Sequence, residues 1–158
     1  MIVQDADAGL SFTNATMSVL KNGTNAVITV VCGNPRVEPL TVGFFTADGT
    51  ATNGIDYVGT NGTLVFANGV ATNTFLVPII NNSIQESNLT FSVMLTNATG
   101  TGQLESPSNQ VVTIIDSNPY ISFSSPTYSV INTSLVATIT VYRTGYTDSC
   151  LLYTSRCV

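Results

Sequence analysis

Histidine and tryptophan are absent from this 158-residue sequence, and charged side chains make up only 8% of it. Without histidine, mechanisms that use imidazole as acid, base or metal ligand are excluded within the chain. Without tryptophan, the cysteine-tryptophan-cysteine signature of true immunoglobulin domains is missing. Lysine and arginine total four against nine acids, for a net charge of −5, and no basic run occurs. Phosphate backbones and anionic lipid therefore find no electrostatic footing, so no nucleic-acid partner is expected. Long apolar runs are lacking too. The longest, Phe75 to Ile80, falls far short of the about 20 residues that a spanning helix needs, so no membrane insertion is expected of this stretch. The start, Met1 to Asp5, carries neither a basic leader nor an apolar stretch, so any export signal is expected outside this sequence.

Cysteine is scarce, and two of the three cysteines fall in the last nine residues. Those residues read as translated sequencing adapter: the transposon-end sequence TGT CTC TTA TAC ACA TCT encodes Cys150 to Ser155, and its inverted copy AGA TGT GTA continues as Arg156-Cys157-Val158. Residues 150–158 are accordingly set aside from the fold. Cys32 then stands alone in a strand pattern, where a small buried hydrophobe is its expected role.

What is present is strand. Period-two patterns rich in β-branched and aromatic residues recur at Leu10 to Leu20, Ala26 to Cys32, Leu40 to Thr46, Thr63 to Ala67, Asn73 to Ile80, Leu89 to Thr96 and Gln110 to Asp116. Asn22-Gly23, Asp48-Gly49, Asn53-Gly54, Asn61-Gly62 and Asn68-Gly69 punctuate them, and these dipeptides tolerate positive φ in tight turns. Asn68-Gly69 is expected to turn a hairpin. Seven short antiparallel strands in about 110 residues are the pattern of an immunoglobulin-like Greek-key sandwich, so the predicted fold class is all-β. The inward positions predicted from the alternation are Phe12, Val19, Ile28, Val30, Val42, Phe44, Leu64, Phe66, Phe75, Val77, Phe91, Val93, Leu95, Val112 and Ile114.

The sequence also repeats itself. Leu10-Ser11-Phe12 matches Ile121-Ser122-Phe123, and Ala26 to Val30 matches Ala137 to Val141, both at a spacing of 111 positions. Constant spacing implies a tandem array. On this reading residues 1–8 end one unit, residues 9–118 form a complete unit, residues 119–149 begin another, and the chain is a slice of a longer protein. Two strands cannot bury both faces of a sandwich, so residues 121–142 are expected to expose Ile139, Val141 and an unpaired edge.

Particular motifs narrow the family. Val42, Phe44, Thr46, Asp48-Gly49-Thr50-Ala51, Gly54-Ile55-Asp56-Tyr57, Gly62-Thr63-Leu64, Phe66, Gly69, Glu86 and the closing Val112-Thr113-Ile114-Ile115-Asp116 follow one spaced pattern. That pattern resembles the Calx-beta domain over residues 10–116, and its first two strands return after Tyr120. The resemblance implies a two-sheet sandwich that in some members binds calcium at one end. The acidic positions it implies are kept as Asp48, Glu86 and Asp116. Others are lost: Lys21 stands at the acidic position ending the first strand, Asn132 at its counterpart, Asn81-Asn82-Ser83 in one acidic run and Ser117-Asn118 in another. Calcium asks for about six to eight hard oxygens, several from carboxylates, and a lysine among them repels it. Asp48, Glu86 and Asp116 are therefore expected to form a weak or lost calcium site, leaving weakly bound calcium or no cofactor, with the carboxylates bonding turn and linker amides instead. Asp48 and Asp56 are read as caps of the Gly-rich turn, and Tyr57 as a plug at the end of the core.

Catalysis is not expected: Cys32 has no base partner, and the nine acids fall mostly in turns rather than in facing pairs. The function that follows is a non-catalytic, secreted or cell-surface spacer or adhesion repeat, whose partners are neighbouring repeats and other surface proteins or glycans. The alternatives are a calcium-binding unit that stiffens its junctions and a carbohydrate-binding accessory domain.

Overall fold

The structure, a computed structural model, describes residues 8–34, 38–134 and 136–145. The tail assigned to a preceding unit lies almost wholly outside these residues, and the adapter-like segment 150–158 lies outside them entirely. The described residues contain no helix. The strands are β1 (Ala8–Phe12), β2 (Thr16–Leu20), β3 (Asn25–Cys32), β4 (Leu40–Asp48), β5 (Asn61–Phe66), β6 (Thr72–Pro78), β7 (Leu89–Thr99), β8 (Gly102–Leu104), β9 (Asn109–Ile115), β10 (Tyr120–Phe123) and β11 (Val141–Thr144).

Two sheets face each other, in the orders β6-β3-β1-β8 and β2-β9-β7-β4-β5, while β10 and β11 form a separate pair. The alternation explains the layering. All fifteen predicted inward residues line the interior: thirteen are buried, and Val19 and Phe75 are half-buried against them. Phe44 of β4 stacks on Phe75 of β6 with ring centroids 3.7 Å apart, joining the two sheets. Cys32 is a buried free thiol in the same core.

The structure corrects the sequence reading in several places: β8 (Gly102–Leu104) is a strand that the alternation does not mark, and Asn61-Gly62 opens β5 rather than a turn. The single strand predicted over Leu10 to Leu20 is two strands in different sheets. The backbone breaks at Thr13-Asn14-Ala15, where Gln110 Nε2 donates to the Asn14 carbonyl at 2.8 Å and Val111 N to the Ala15 carbonyl at 2.9 Å. Alternation alone cannot reveal that switch, because both halves keep one apolar face inward. It also makes the sandwich partly parallel, since β1 runs parallel to β8 and β2 to β9. Finally, Asn68-Gly69 turns the chain between sheets rather than into a hairpin, as β5 and β6 do not share a sheet. Gly69 takes φ +73° there and Val70 N donates to the Ala67 carbonyl at 3.0 Å, so the predicted tight turn exists without a ladder to follow.

Candidate metal site

Lys21 follows β2, and its amide donates to the Ile115 carbonyl at the end of β9 at 2.9 Å. This fixes the lysine at one end of the sandwich, beside the exit of the last strand. Its side chain is 2% exposed. The ammonium pairs with the Glu86 carboxylate and donates to the Ile84 carbonyl at 3.1 Å. A cation this deeply buried needs such partners, because it has left its water behind.

Around this pair the linker is tied down. Glu86 N donates to Asp116 Oδ2 at 3.0 Å, and Asn118 N to Asp116 Oδ1 at 3.1 Å. Asn118 Nδ2 donates to the Asn82 carbonyl at 3.0 Å and to the Ile84 carbonyl at 2.8 Å. Asn22 N donates to Ser117 Oγ at 3.1 Å. Of the three predicted ligands, the structure thus brings Glu86 and Asp116 together through a backbone hydrogen bond.

Asp48 belongs to a different network. Its Oδ1 accepts from the Tyr57 hydroxyl at 2.6 Å and from Asn53 N at 3.0 Å. Asp56 Oδ2 accepts from Thr52 N at 2.8 Å, so both carboxylates cap the Gly-rich turn. Tyr57 is buried and stacks on Phe91 with centroids 4.2 Å apart, which is the core-end plug the motif predicts. Burial, reinforced by the Asp48 carboxylate, pushes the Tyr57 phenol up to about 12. An open hollow of about 440 Å³ lies over Thr46, Asp48, Asn53, Tyr57, Thr60 and Asn61, with Asp48 its sole carboxylate.

Within the chain these oxygens are already engaged. Glu86 and the Ile84 carbonyl face an ammonium, the Ile84 and Asn82 carbonyls hold the Asn118 amide, and both Asp116 oxygens hold backbone N–H groups. Among the described residues, no group of three or more acids or cysteines is placed to hold a metal ion. The sequence marks Lys21 as a repulsive charge rather than as the partner of Glu86, and Asn118 only as a lost acid. The retained Glu86 opposite a lysine was the one signal for the pair. The carbonyls of Asn82 and Ile84 leave no mark in a sequence.

The comparisons with known proteins agree with the two-sheet fold. The Calx-beta domain profile matches residues 4–118 and again residues 115–155. The chain belongs to the Calx-beta family. It is 32% identical over 161 aligned residues to sodium/calcium exchanger 1 of Canis lupus familiaris, covering 89% of this chain. The match spans only 17% of that exchanger's length. Among solved structures, the apo-form Calx CBD1 domain superposes with a TM-score of 0.67 at 28% identity, covering 70% of this chain and 97% of that one. The calcium-binding domain CBD12 of CALX1.1 gives 0.68 at 28% identity, covering 77% and 53%. The two-sheet fold of the Calx-beta domain is thus shared, and one of these relatives is named as a calcium-binding domain.

Proposed function

We propose that this Calx-beta domain is a non-catalytic spacer or adhesion unit of a secreted or cell-surface array, and that an internal ammonium does the work calcium does in its relatives. The observation that carries the reading is the Lys21 ammonium, buried on Glu86 and the Ile84 carbonyl at the point where the chain leaves the sandwich. An ion at such a place cross-links loops by collecting their oxygens. Here Lys21 and the Asn118 amide collect the same kind of oxygens from residues 82–86 and fasten the linker Asp116-Ser117-Asn118 without any ion. The exit of the chain is therefore fixed whatever the calcium concentration, which suits a spacer. The charge-poor, Thr- and Asn-rich composition supports an outside location, where hydroxyl and amide groups meet glycans or other surface proteins.

A second reading has one observation behind it: Glu86 and Asp116 are neighbours, and a relative with this fold is named for calcium binding. In that reading calcium displaces Lys21 and stiffens the junction. Small-angle scattering of the chain in millimolar calcium and in chelator separates the two. The spacer reading expects the same maximum dimension in both, and a dimension that changes reversibly with calcium selects the alternative.

A further inference from the structure

Four Asn-Gly pairs stand in the chain, at Asn22, Asn53, Asn61 and Asn68. Each carries a latent reaction. The glycine backbone nitrogen can attack the asparagine Cγ, because glycine has no Cβ to hinder the approach. A bond forms between that nitrogen and Cγ, the Cγ–Nδ2 bond breaks, and the proton from the backbone nitrogen leaves with Nδ2 as ammonia. Water from the solvent then opens the resulting cyclic succinimide to aspartate or isoaspartate. The first step requires a glycine N–H that is not already bound and an asparagine side chain free to turn.

The fold closes three of the four pairs. Gly23 N donates to the Leu20 carbonyl at 2.8 Å. Gly54 N donates to the Tyr57 carbonyl at 2.8 Å, and Asn53 Oδ1 accepts from Gly59 N at 2.6 Å. Gly62 faces Phe44 in the β4–β5 ladder. Thr46 N donates to the Thr60 carbonyl at 3.0 Å in the same direction of pairing, and hydrogen-bonded pairs recur at every second position of an antiparallel ladder, so Gly62 N is taken up by Phe44.

Asn68-Gly69 differs. Both residues are exposed, on the turn that carries the chain from β5 in one sheet to β6 in the other. Val70 N closes that turn on the Ala67 carbonyl at 3.0 Å. Among the described residues, neither the Gly69 amide nor the Asn68 side chain has a hydrogen-bond partner. Beyond its chain neighbours, no atom lies within 4 Å of where a Cβ on Gly69 would sit, so nothing crowds the ring as it closes.

We infer that Asn68 is a self-modification site, the Asn-Gly pair that the folded protein converts to aspartate and isoaspartate with water as the only co-reactant. The product places a carboxylate in a stretch, Tyr57 to Gln85, that otherwise holds no charged residue. Isoaspartate also routes the main chain through Cγ and so lengthens the connection between the two sheets. None of the residues that fasten the linker takes part, so the inference is independent of the calcium question.

The test holds the whole chain folded in mildly alkaline buffer, with a parallel sample in denaturant, and follows both by peptide mapping with isoaspartate detection. The expected result in the folded chain is conversion at Asn68 ~10-fold or more faster than at Asn22, Asn53 or Asn61, because freeing those amides requires a local opening. In denaturant all four pairs are expected to react at comparable rates. Asn68→Ser keeps a residue suited to the turn and removes the early product without changing the other three sites. Conversion led by another pair in the folded chain overturns the inference, as does an intact Asn68 while the denatured chain reacts. The same preference for Asn68 in denaturant also overturns it, since local sequence rather than the fold then selects the site.

Discussion

A single lysine decides how the tip of this Calx-beta sandwich is held. Lys21→Ala leaves Glu86 without its cation, and since Glu86 is 28% exposed and can recover some water, the expected cost is about 2–3 kcal/mol in denaturant unfolding. Lys21→Asp reverses the charge beside Glu86 and Asp116, and melting then acquires a calcium dependence of several degrees at millimolar ion. If Lys21→Asp melts identically in calcium and chelator, the tip is not a latent ion site. Tyr57 gives a second residue-scale prediction. Its folded pKa lies above the ordinary value of 10, so the stability its burial contributes is complete below about pH 10 and is lost as pH rises towards 12, by on the order of 2 kcal/mol. Tyr57→Phe flattens that loss while costing about 1 kcal/mol at neutral pH, because Asp48 Oδ1 keeps only the Asn53 amide. At this scale the sequence was only half legible. A lysine stands where the family pattern has an acid, but the distance between residues 21 and 86 in the chain hides the pair, and the backbone carbonyls that complete it have no residue identity to read.

Elements were more legible than their connections. Alternation placed all fifteen predicted inward side chains, because burial on one face is what a period of two encodes. The same signal was blind to which sheet a strand joins, so the break at Thr13-Asn14-Ala15 and the sheet change at Gly69 emerged only in three dimensions. The repeat offers an internal control at this scale. Phe12 and Phe123 share a residue type and a ladder position but differ in cover. Phe12→Ala is expected to cost about 3–5 kcal/mol, whereas Phe123→Ala changes sandwich stability by less than about 0.5 kcal/mol. Equal losses in chemical denaturation mean that the terminal pair is packed against something in solution. Native-state exchange is expected to rank the same elements, with amides of residues 112–115 tracking global unfolding and those of residues 136–140 exchanging far faster.

For the whole molecule, a fold held in common with a relative named for calcium binding carries a buried ammonium of its own. What sets the tip apart within this chain is the place where Lys21, Glu86, Asp116 and Asn118 meet. On the proposed reading a unit fastened in this way keeps its linker attached at any calcium level, and that constancy is the basis of the spacer role. Calorimetric melting of the unmodified chain, in chelator and then across micromolar to millimolar calcium at constant ionic strength, tests this most directly. The account predicts one melting temperature throughout, within about 1 °C, since an ion that does not bind the folded state cannot stabilise it. A rise of several degrees that follows a binding curve, and that magnesium does not reproduce, would contradict it.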